Sequence, residues 1–228
     1  MNTTAIIVPA YNEATVIFDT LRGLRKFLGT RKLTADIIVV DDGSIDKTGI
    51  VAAPYCDYLI SHRQNCGLGA ALATGIEFAK RKGYVACVTF DADGQHDVAD
   101  IPKALKELSA RYDVVVGSRF LGTHSRMPKG RQWILKLSNL ITWVFFGVRT
   151  TDSQSGFRAL AKKAINSLAL KSNRMEVSSE FFGEIKRLGL KFTEIPIHIS
   201  YTDYSLQKGQ SNTNAANVLI KLLYKFIS

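Results

Sequence analysis

Short apolar runs alternate with segments of helical period through the first half of the chain. The runs at residues 5–9, 37–40 and 85–90 are rich in β-branched side chains, which is typical of strands buried on both faces of a sheet. Apolar residues recur with a helical period in residues 13–28 and 67–81. Repeated β-α units of this length predict an α/β fold, namely a mostly parallel twisted sheet with helices on both faces.

Weaker signals continue the pattern toward the carboxyl end. Further strands are predicted at residues 58–61, 114–116 and 192–199, and further helices at 101–110, 161–168, 178–188 and 217–227. After Gly117 the pattern changes, and residues 118–132, 150–156 and 202–217 are predicted to be loops. Because no linker, internal repeat or low-complexity tract interrupts the chain, residues 1–228 are expected to form a single domain.

Composition narrows the class of protein and of partner. With 46% hydrophobic and 22% charged residues, the chain has enough apolar side chains for a globular core. The formal charge of +10 favours an anionic partner, which leaves nucleic acid, a phospholipid surface and a nucleotide substrate open. Three scattered cysteines do not fit a disulfide framework or a zinc site and favour a reducing compartment. Neither a secretory signal nor a transmembrane span is predicted, since no uninterrupted apolar run reaches about 18 residues.

Acidic residues follow two of the predicted strands. Asp41 and Asp42 come directly after the second apolar run, and Asp91 and Asp93 come directly after the third. Ligands of open α/β sheets bind beyond the carboxyl ends of the strands, so these side chains are candidates for a ligand site. For Asp91 and Asp93 the natural partner is a divalent cation, because hard oxygen ligands suit Mg²⁺ or Mn²⁺. The simpler alternative is that they cap a turn and the next helix.

Neighbouring residues bear on the same site. Gln95 offers a neutral oxygen to the cation and His96 offers a nitrogen. Asp41 or Asp42 either belongs to the glycine-serine turn that follows or accepts the ring N–H of a nucleobase. The glycines that open residues 67–81 would let a helix N-terminus approach an anion, although close packing of helix on sheet explains them equally well.

Five short motifs occur in a fixed order along the chain. They are Pro-Ala-Tyr-Asn-Glu at 9–13, Val-Val-Asp-Asp-Gly-Ser at 39–44, Asp-Ala-Asp-Gly-Gln-His at 91–96, Gly-Ser-Arg at 117–119 and Ser-Gly-Phe-Arg at 155–158. In this order they resemble the motifs of the family-2 inverting glycosyltransferases of the GT-A fold. Within that family the chain is most similar to the polyprenyl-phosphate branch, the dolichyl-phosphate mannose or glucose synthases. The resemblance spans roughly residues 5–200.

The resemblance assigns residues 1–117 to the sugar donor. The residues that it implies for the nucleotide pocket and its base contact are Pro9, Tyr11, Glu13, Asp41, Asp42 and Asp91. The residues that it implies as ligands of Mg²⁺ or Mn²⁺ on the diphosphate are Asp91, Asp93 and Gln95. Asp93 is also expected to be essential for transfer. GDP-mannose, UDP-glucose and UDP-N-acetylglucosamine all remain candidate donors, because these motifs select neither the sugar nor the base.

The resemblance assigns residues 118–228 to the acceptor, a polyprenyl phosphate such as undecaprenyl or dolichyl phosphate. Arg119 and Arg131 are expected to contact the acceptor phosphate as catalytic groups. Arg158 is expected in the loop that closes over the acceptor, and Lys208 would replace a family arginine that this chain lacks. An ionised phosphate needs no general base, but its charge must be neutralised, which a metal ion and arginines together can do.

Two other functions compete with this interpretation. A family-2 transferase acting on a glycan or other hydroxyl acceptor in cell-surface polysaccharide synthesis would need a general base, and Asp152 is the leading candidate. Asp152 would otherwise order its loop by pairing with an arginine. A nucleic-acid-binding module is not expected, because clustered carboxylates would repel phosphate where the ligand should lie.

One apolar segment predicts contact with a membrane surface. Residues 133–146 form either a core helix or a helix in the bilayer interface, with Trp133 and Trp143 near the lipid headgroups. The basic loop before this segment would attract anionic lipid. Residues 218–227 would add a second contact or dock on a separate small membrane subunit. The resulting hypothesis is a cytoplasmic enzyme attached peripherally to the cytoplasmic face of the membrane.

Overall fold

The computed structural model describes residues 3–125, 127–202 and 204. Within these residues, seven strands form one sheet. They are β1 (Thr4–Ala10), β2 (Ala35–Asp41), β3 (Tyr58–Ser61), β4 (Ala86–Thr89), β5 (Val114–Ser125), β6 (Arg158–Ala161) and β7 (Phe192–Ser200). Their order across the sheet is β3-β2-β1-β4-β6-β5-β7, and the pairs are parallel except for those that β6 makes with β4 and β5.

Helices connect the strands and cover both faces of the sheet. They are α1 (Ile17–Arg31), α2 (Thr48–Ala52), α3 (Leu68–Lys82), α4 (Asp100–Ala110), α5 (Lys129–Phe146), α6 (Lys162–Ser167) and α7 (Val177–Arg187), with a 3₁₀ turn at Ala53–Tyr55. Side chains of β1 alternate between two cores: Ile6 packs with α1 and α4, and Ile7 packs with α3 and α7. This alternation follows from the two-residue period of a strand. The predicted α/β fold is therefore confirmed.

Several elements differ from the prediction in their bounds or in their presence. β6 lies between the predicted loop 150–156 and the predicted helix 161–168, and the sequence predicts no strand there. Four residues carry no readable period, and pairing with β4 and β5 decides their conformation. β5 extends into residues 118–132, which are predicted to be a loop, because it continues to pair with β7 beyond a register shift between Ser118 and Thr123. α1 begins only at Ile17, since the residues before it form a turn in which the Glu13 carbonyl accepts two backbone N–H groups.

The carboxyl-terminal third contributes α5 and then returns to the sheet. α5 begins four residues before the predicted apolar segment 133–146 and ends with it. Among the described residues, no helix combines the length and the apolar character that crossing a bilayer requires. The predictions for Lys208 and for residues 217–227 lie outside the described part of the chain.

Candidate active site at the carboxyl ends of the strands

The carboxyl ends of β1, β2 and β4 meet at one edge of the sheet. Parallel pairing places Ala10 of β1 opposite Asp41 of β2 and places Ile7 of β1 opposite Thr89 of β4. The sequence motifs that follow these three strands therefore start side by side. In an open α/β sheet this edge is where ligands bind.

Asp42 is the centre of a hydrogen-bond network at this edge. Its buried carboxylate accepts hydrogen bonds from His62 Nδ1 (2.7 Å), Asn65 Nδ2 (2.9 Å) and the backbone N–H groups of Cys66 (2.9 Å) and Gly67 (2.7 Å). Asp42, His62 and Cys66 also bring three atoms of metal-ligating type within 4.8 Å of one another. Because the Asp42 oxygens already accept these four hydrogen bonds, we interpret the group as the anchor of the loop that leads into α3.

Asp41 organises the turn that follows β2. Its Oδ1 accepts a hydrogen bond from the backbone N–H of Ser44 (3.1 Å). The loop after β1 is fastened to this turn, because Asn12 donates its backbone N–H to Ser44 Oγ (2.9 Å) and its Oδ1 accepts the Ile45 N–H (2.9 Å). Asn12 has a left-handed φ of 53°, a conformation that asparagine adopts more readily than most residues. The two predicted donor segments thus form one connected surface.

The predicted donor residues of motif 9–13 differ in their access to a ligand. Pro9 is buried within β1, whereas Tyr11 is 39% exposed. The Glu13 carboxylate accepts a hydrogen bond from the Tyr204 hydroxyl (2.7 Å), which links this motif to the chain beyond β7. Tyr204 and Asp93 line a cavity of about 460 Å³ between α1 and the turn after β4. This cavity makes the turn accessible to a small ligand.

The turn after β4 carries the predicted metal ligands. Asp91 Oδ2 accepts a hydrogen bond from His96 Nε2 (2.9 Å), and Asp93 Oδ1 accepts one from the backbone N–H of Gln95 (3.0 Å). His96 therefore binds Asp91, and its Nδ1 is buried without a hydrogen-bond partner among the described residues. Gly94 closes the turn with a left-handed φ of 73°, which glycine adopts without steric cost.

The electrostatics of this turn favour a bound cation. Burial and the neighbouring Asp91 raise the pKa of Asp93 to about 6. Burial also opposes the ionisation of Asp91, but His96 and two nearby arginines outweigh it and hold the pKa of Asp91 below its ordinary value. Two neighbouring carboxylates and the amide oxygen of Gln95 are the hard ligands that Mg²⁺ and Mn²⁺ prefer. The residues present therefore fit such an ion.

A buried carboxylate holds Arg119, one of the residues predicted to contact the acceptor. Arg119 Nε lies 2.6 Å from Oδ2 of Asp152, and the same oxygen accepts the Arg119 backbone N–H at 3.1 Å. Arg119 also donates from Nη2 to the Gln154 carbonyl (3.3 Å). Burial opposes the positive charge, but Asp152 outweighs that effect and raises the pKa of Arg119. In this geometry Asp152 orders its loop by pairing with an arginine.

Tyr201 joins the two arginines that are expected to contact the acceptor phosphate. Its hydroxyl accepts a hydrogen bond from Nη1 of Arg119 (3.2 Å), and the guanidinium carbon of Arg131 lies 5.2 Å from the centre of its ring. Tyr201 is absent from the residues that the motifs select. The sequence pattern that could have identified it is the two-residue period of β7, which continues past the strand. Ile197, Ile199 and Tyr201 are all buried on one face.

The loop before β6 packs directly on the acidic turn. A Cβ atom on Gly156 would lie 2.3 Å from the carboxylate oxygens of Asp91, and Thr89 Oγ1 donates to the Gly156 carbonyl at 2.6 Å. Arg158, predicted in the loop over the acceptor, is instead the first residue of β6, because it pairs with Thr89 of β4. It is buried with its guanidinium carbon 4.2 Å from the centre of the Phe181 ring. Burial lowers the pKa of Arg158 to about 10, and Asp91 opposes the shift. The acidic turn and the loop before β6 are therefore in direct contact.

The architecture is that of the GT-A fold. The same fold occurs in the solved structure of glucosyl-3-phosphoglycerate synthase from Mycobacterium tuberculosis in complex with Mn²⁺, UDP and glucosyl-3-phosphoglycerate. The two chains superpose with a TM-score of 0.71 at 18% identity, covering 97% of this chain and 80% of that chain. The family model described as Glycosyl transferase family 2 matches residues 5–169, and the chain belongs to that family.

Two relatives match almost the whole chain. The uncharacterized protein MJ1222 of Methanocaldococcus jannaschii is 40% identical over 227 residues, which is 97% of this chain and 91% of the relative. The UDP-N-acetylglucosamine–dolichyl-phosphate N-acetylglucosaminyltransferase of Methanococcus voltae is 34% identical over 248 aligned positions, which cover 97% of this chain and 94% of the relative. The similarity therefore includes the carboxyl-terminal third as well as the segment that the family model matches.

Proposed function

We propose that this glycosyltransferase moves a hexose from a nucleotide-diphosphate sugar to a polyprenyl phosphate, with inversion at the sugar and with Mg²⁺ or Mn²⁺. The observation that carries the proposal is the position of Arg131 on α5. Arg131 stacks on Tyr201 inside the site, while Trp133, two residues further on, is 74% exposed. A phosphate-binding cation beside an exposed apolar surface suits a lipid with an anionic headgroup. The named activity of the Methanococcus voltae relative supports the same class of acceptor.

The donor would bind at the edge formed by β1, β2 and β4. Asp91, Asp93 and Gln95 would hold the metal ion on the diphosphate, where it stabilises the charge of the leaving group. Asp41 is the better candidate for the contact with the base, because the Asp42 carboxylate already accepts four hydrogen bonds. GDP-mannose, UDP-glucose and UDP-N-acetylglucosamine are the donors to be compared.

The chemistry of this acceptor needs neutralisation of charge. An oxygen of the acceptor phosphate attacks the anomeric carbon, the bond from that carbon to the diphosphate oxygen breaks, and the nucleoside diphosphate leaves with the bonding electron pair. No proton has to be removed from an ionised phosphate, so no general base is required. Arg131 would balance the acceptor charge, and Arg119, whose own charge is already paired with Asp152, would offer its remaining N–H donors. Asp152 would keep Arg119 in place, in agreement with their contact of 2.6 Å.

The outer face of α5 would attach the enzyme peripherally to the cytoplasmic face of a membrane. The exposed apolar side chains along this helix are Trp133, Leu137, Leu140, Trp143 and Val144. Lys136 Nζ lies 5.8 Å from the ring centre of Trp133, and the guanidinium carbon of Arg149 lies 4.7 Å from that of Trp143. Positive charge beside apolar surface suits the headgroup region of an anionic leaflet, and the cytoplasmic leaflet carries such a surface potential.

Transfer in vesicles tests the proposal. The purified protein is incubated with vesicles that contain undecaprenyl or dolichyl phosphate, with each of the three labelled donors, and with Mn²⁺, Mg²⁺ or EDTA. The expected product is a labelled sugar linked to the lipid phosphate, formed with one donor and only when a metal ion is present. Vesicles with unphosphorylated polyprenol are the control, and label on that lipid or on added glycan would support a hydroxyl acceptor. Undiminished transfer in EDTA would contradict the role of the metal ion.

A further inference from the structure

A threonine of α1 is hydrogen-bonded to the carbonyl of the residue that separates the two aspartates of the acidic turn. Thr20 Oγ1 donates a buried hydrogen bond of 2.9 Å to the carbonyl oxygen of Ala92, although the two residues are 72 positions apart. Thr20 is 8% exposed, and Ala92 is 3% exposed. Asp91 and Asp93 stand on either side of Ala92, so this hydrogen bond holds the residue between the two proposed metal ligands.

Helix α1 gives the threonine a rigid base. Ile17 and Leu21 flank Thr20 in the helix, and both are fully buried in the core beneath the sheet edge. The Ala92 side chain packs in the same core, but it has no hydrogen-bonding group, so it does not fix the direction of its carbonyl. The carbonyl of Val16, at 3.3 Å, is the other partner of the Thr20 hydroxyl and the longer of the two. The hydroxyl therefore transmits the position of α1 to the acidic turn.

We propose that Thr20 is a positioning residue that sets the affinity of the acidic turn for its divalent cation. The inference rests on the proposed function, since it assumes that Asp91 and Asp93 hold the ion. Without the hydroxyl, the Ala92 carbonyl loses its buried donor, and the turn must shift or take up water to satisfy it. Either response moves the two carboxylates relative to each other, because this carbonyl belongs to the peptide that joins Ala92 to Asp93, and Asp91 directly precedes Ala92.

The chain offers a matched control on the same helix. Thr30 donates its Oγ1 to the Phe27 carbonyl at 3.0 Å, a local and exposed bond. Thr20→Val and Thr30→Val therefore remove the same group from the same helix, once facing the turn and once facing solvent. Thr20→Ser keeps the hydroxyl and serves as the rescue variant. Thr20→Ala replaces Thr20→Val if the valine variant does not fold.

Mn²⁺ binding followed by electron paramagnetic resonance tests the proposal. Each variant is titrated in the presence of UDP or GDP, whichever stabilises the wild-type protein, and its melting temperature is measured in EDTA. Thr20→Val should weaken Mn²⁺ binding about fivefold, the effect expected from one neutral hydrogen bond. Thr20→Ser and Thr30→Val should bind Mn²⁺ as the wild type does.

The outcomes separate this inference from the function on which it rests. A Thr20→Val variant that melts at a lower temperature but binds Mn²⁺ with wild-type affinity would show a purely structural role and overturn the inference alone. Equal weakening in Thr30→Val would also overturn it, because the effect would then belong to the helix in general. A wild-type protein that binds no Mn²⁺ with either nucleotide would overturn the inference together with the proposed metal site.

Discussion

Arg119 and Asp152 form an ion pair that is shielded from water on both sides. The distance between Nε and Oδ2 is 2.6 Å, and the two side chains are 7% and 0% exposed. A buried charge that loses its partner is strongly destabilising, so the pair has to be considered as a unit. This contact favours a phosphate acceptor over a hydroxyl acceptor, because a carboxylate that holds an arginine is poorly placed to take a proton from a hydroxyl.

Replacement of Asp152 by asparagine tests that distinction. Asp152→Asn leaves Arg119 buried without its counter-charge, and we expect a loss of unfolding free energy of about 2–4 kcal/mol. Turnover should fall only about tenfold at a temperature where the variant is folded, since a phosphate acceptor needs no base, whereas loss of a general base costs about 10²- to 10⁴-fold. Denaturant unfolding and initial rates measure both effects. A stable variant without turnover would favour the hydroxyl acceptor.

Arg131 should affect the acceptor more than the donor. Arg131→Ala removes the cation that stacks on Tyr201, and we expect the KM for polyprenyl phosphate to rise about tenfold, as for the loss of a charged contact to phosphate. Hydrolysis of the donor in the absence of acceptor should be unchanged. Lys162→Ala, which removes an exposed charge from α6, is the control for net charge. Equal losses in transfer and donor hydrolysis would remove the acceptor role of Arg131.

Asp93 should destabilise the metal-free protein above about pH 6. Its pKa is raised from 3.8 to about 6 on folding, so the folded state keeps a proton that the unfolded state has lost, and stability falls as the pH rises through this window. Asp93→Asn should therefore be more stable than the wild type by about 1–2 kcal/mol at pH 7.5 in EDTA. This is less than the full change in pKa corresponds to, because water screens a partly exposed side chain. The difference should vanish near pH 3.5.

Metal and nucleotide should reverse that order. Mn²⁺ with a nucleoside diphosphate stabilises the wild type by mass action, whereas Asp93→Asn lacks one ligand and should gain much less. Melting temperatures measured across pH, with and without these ligands, give both comparisons. If Asp93→Asn were no more stable than the wild type at pH 7.5 in EDTA, the raised pKa of Asp93, attributed to burial and to Asp91, would be wrong.

The exposed face of α5 should bind anionic vesicles. Trp133→Ser combined with Val144→Ser removes two side chains that are 74% and 64% exposed, and we expect about tenfold weaker binding at low salt with little change in stability. Ile45→Ser combined with Ile50→Ser is the matched control, because those side chains are 88% and 75% exposed elsewhere on the surface. Cosedimentation provides the measurement. Equal binding by both double variants would contradict the assignment of this face.

Gly156 should be required for the position of Asp91. A methyl group at this residue would lie 2.3 Å from the Asp91 carboxylate oxygens, so Gly156→Ala must displace the carboxylate or the loop. We expect the thermal shift caused by Mn²⁺ and nucleoside diphosphate to fall by at least half. Gly29→Ala in α1 meets no atom within 4 Å and should instead stabilise the protein by about 0.5–1 kcal/mol. A full ligand shift in Gly156→Ala would indicate that the contact is easily relieved.

The fold was predictable from the sequence wherever the apolar residues of a single element recur with a clear strand or helix period. The strands at β1, β2 and β3 and the helix α3 follow the predicted ranges within two residues, because apolar alternation and helical spacing are local properties of the chain. β6 was not predictable, since its four residues are strand only through hydrogen bonds to β4 and β5. The extension of β5 has the same origin in its pairing with β7.

For the candidate site, the sequence by itself determined which acidic residues follow the strands, because a strand and the turn after it are adjacent along the chain. Only the tertiary structure decided what each side chain touches. It turned Asp42 toward the 62–67 loop, paired Arg119 with Asp152 and brought Thr20 to the peptide between Asp91 and Asp93. These contacts join residues 20 to 72 positions apart. The order of strands and the packing of helices on the sheet decide which distant residues meet. Neither can be read from local periodicity.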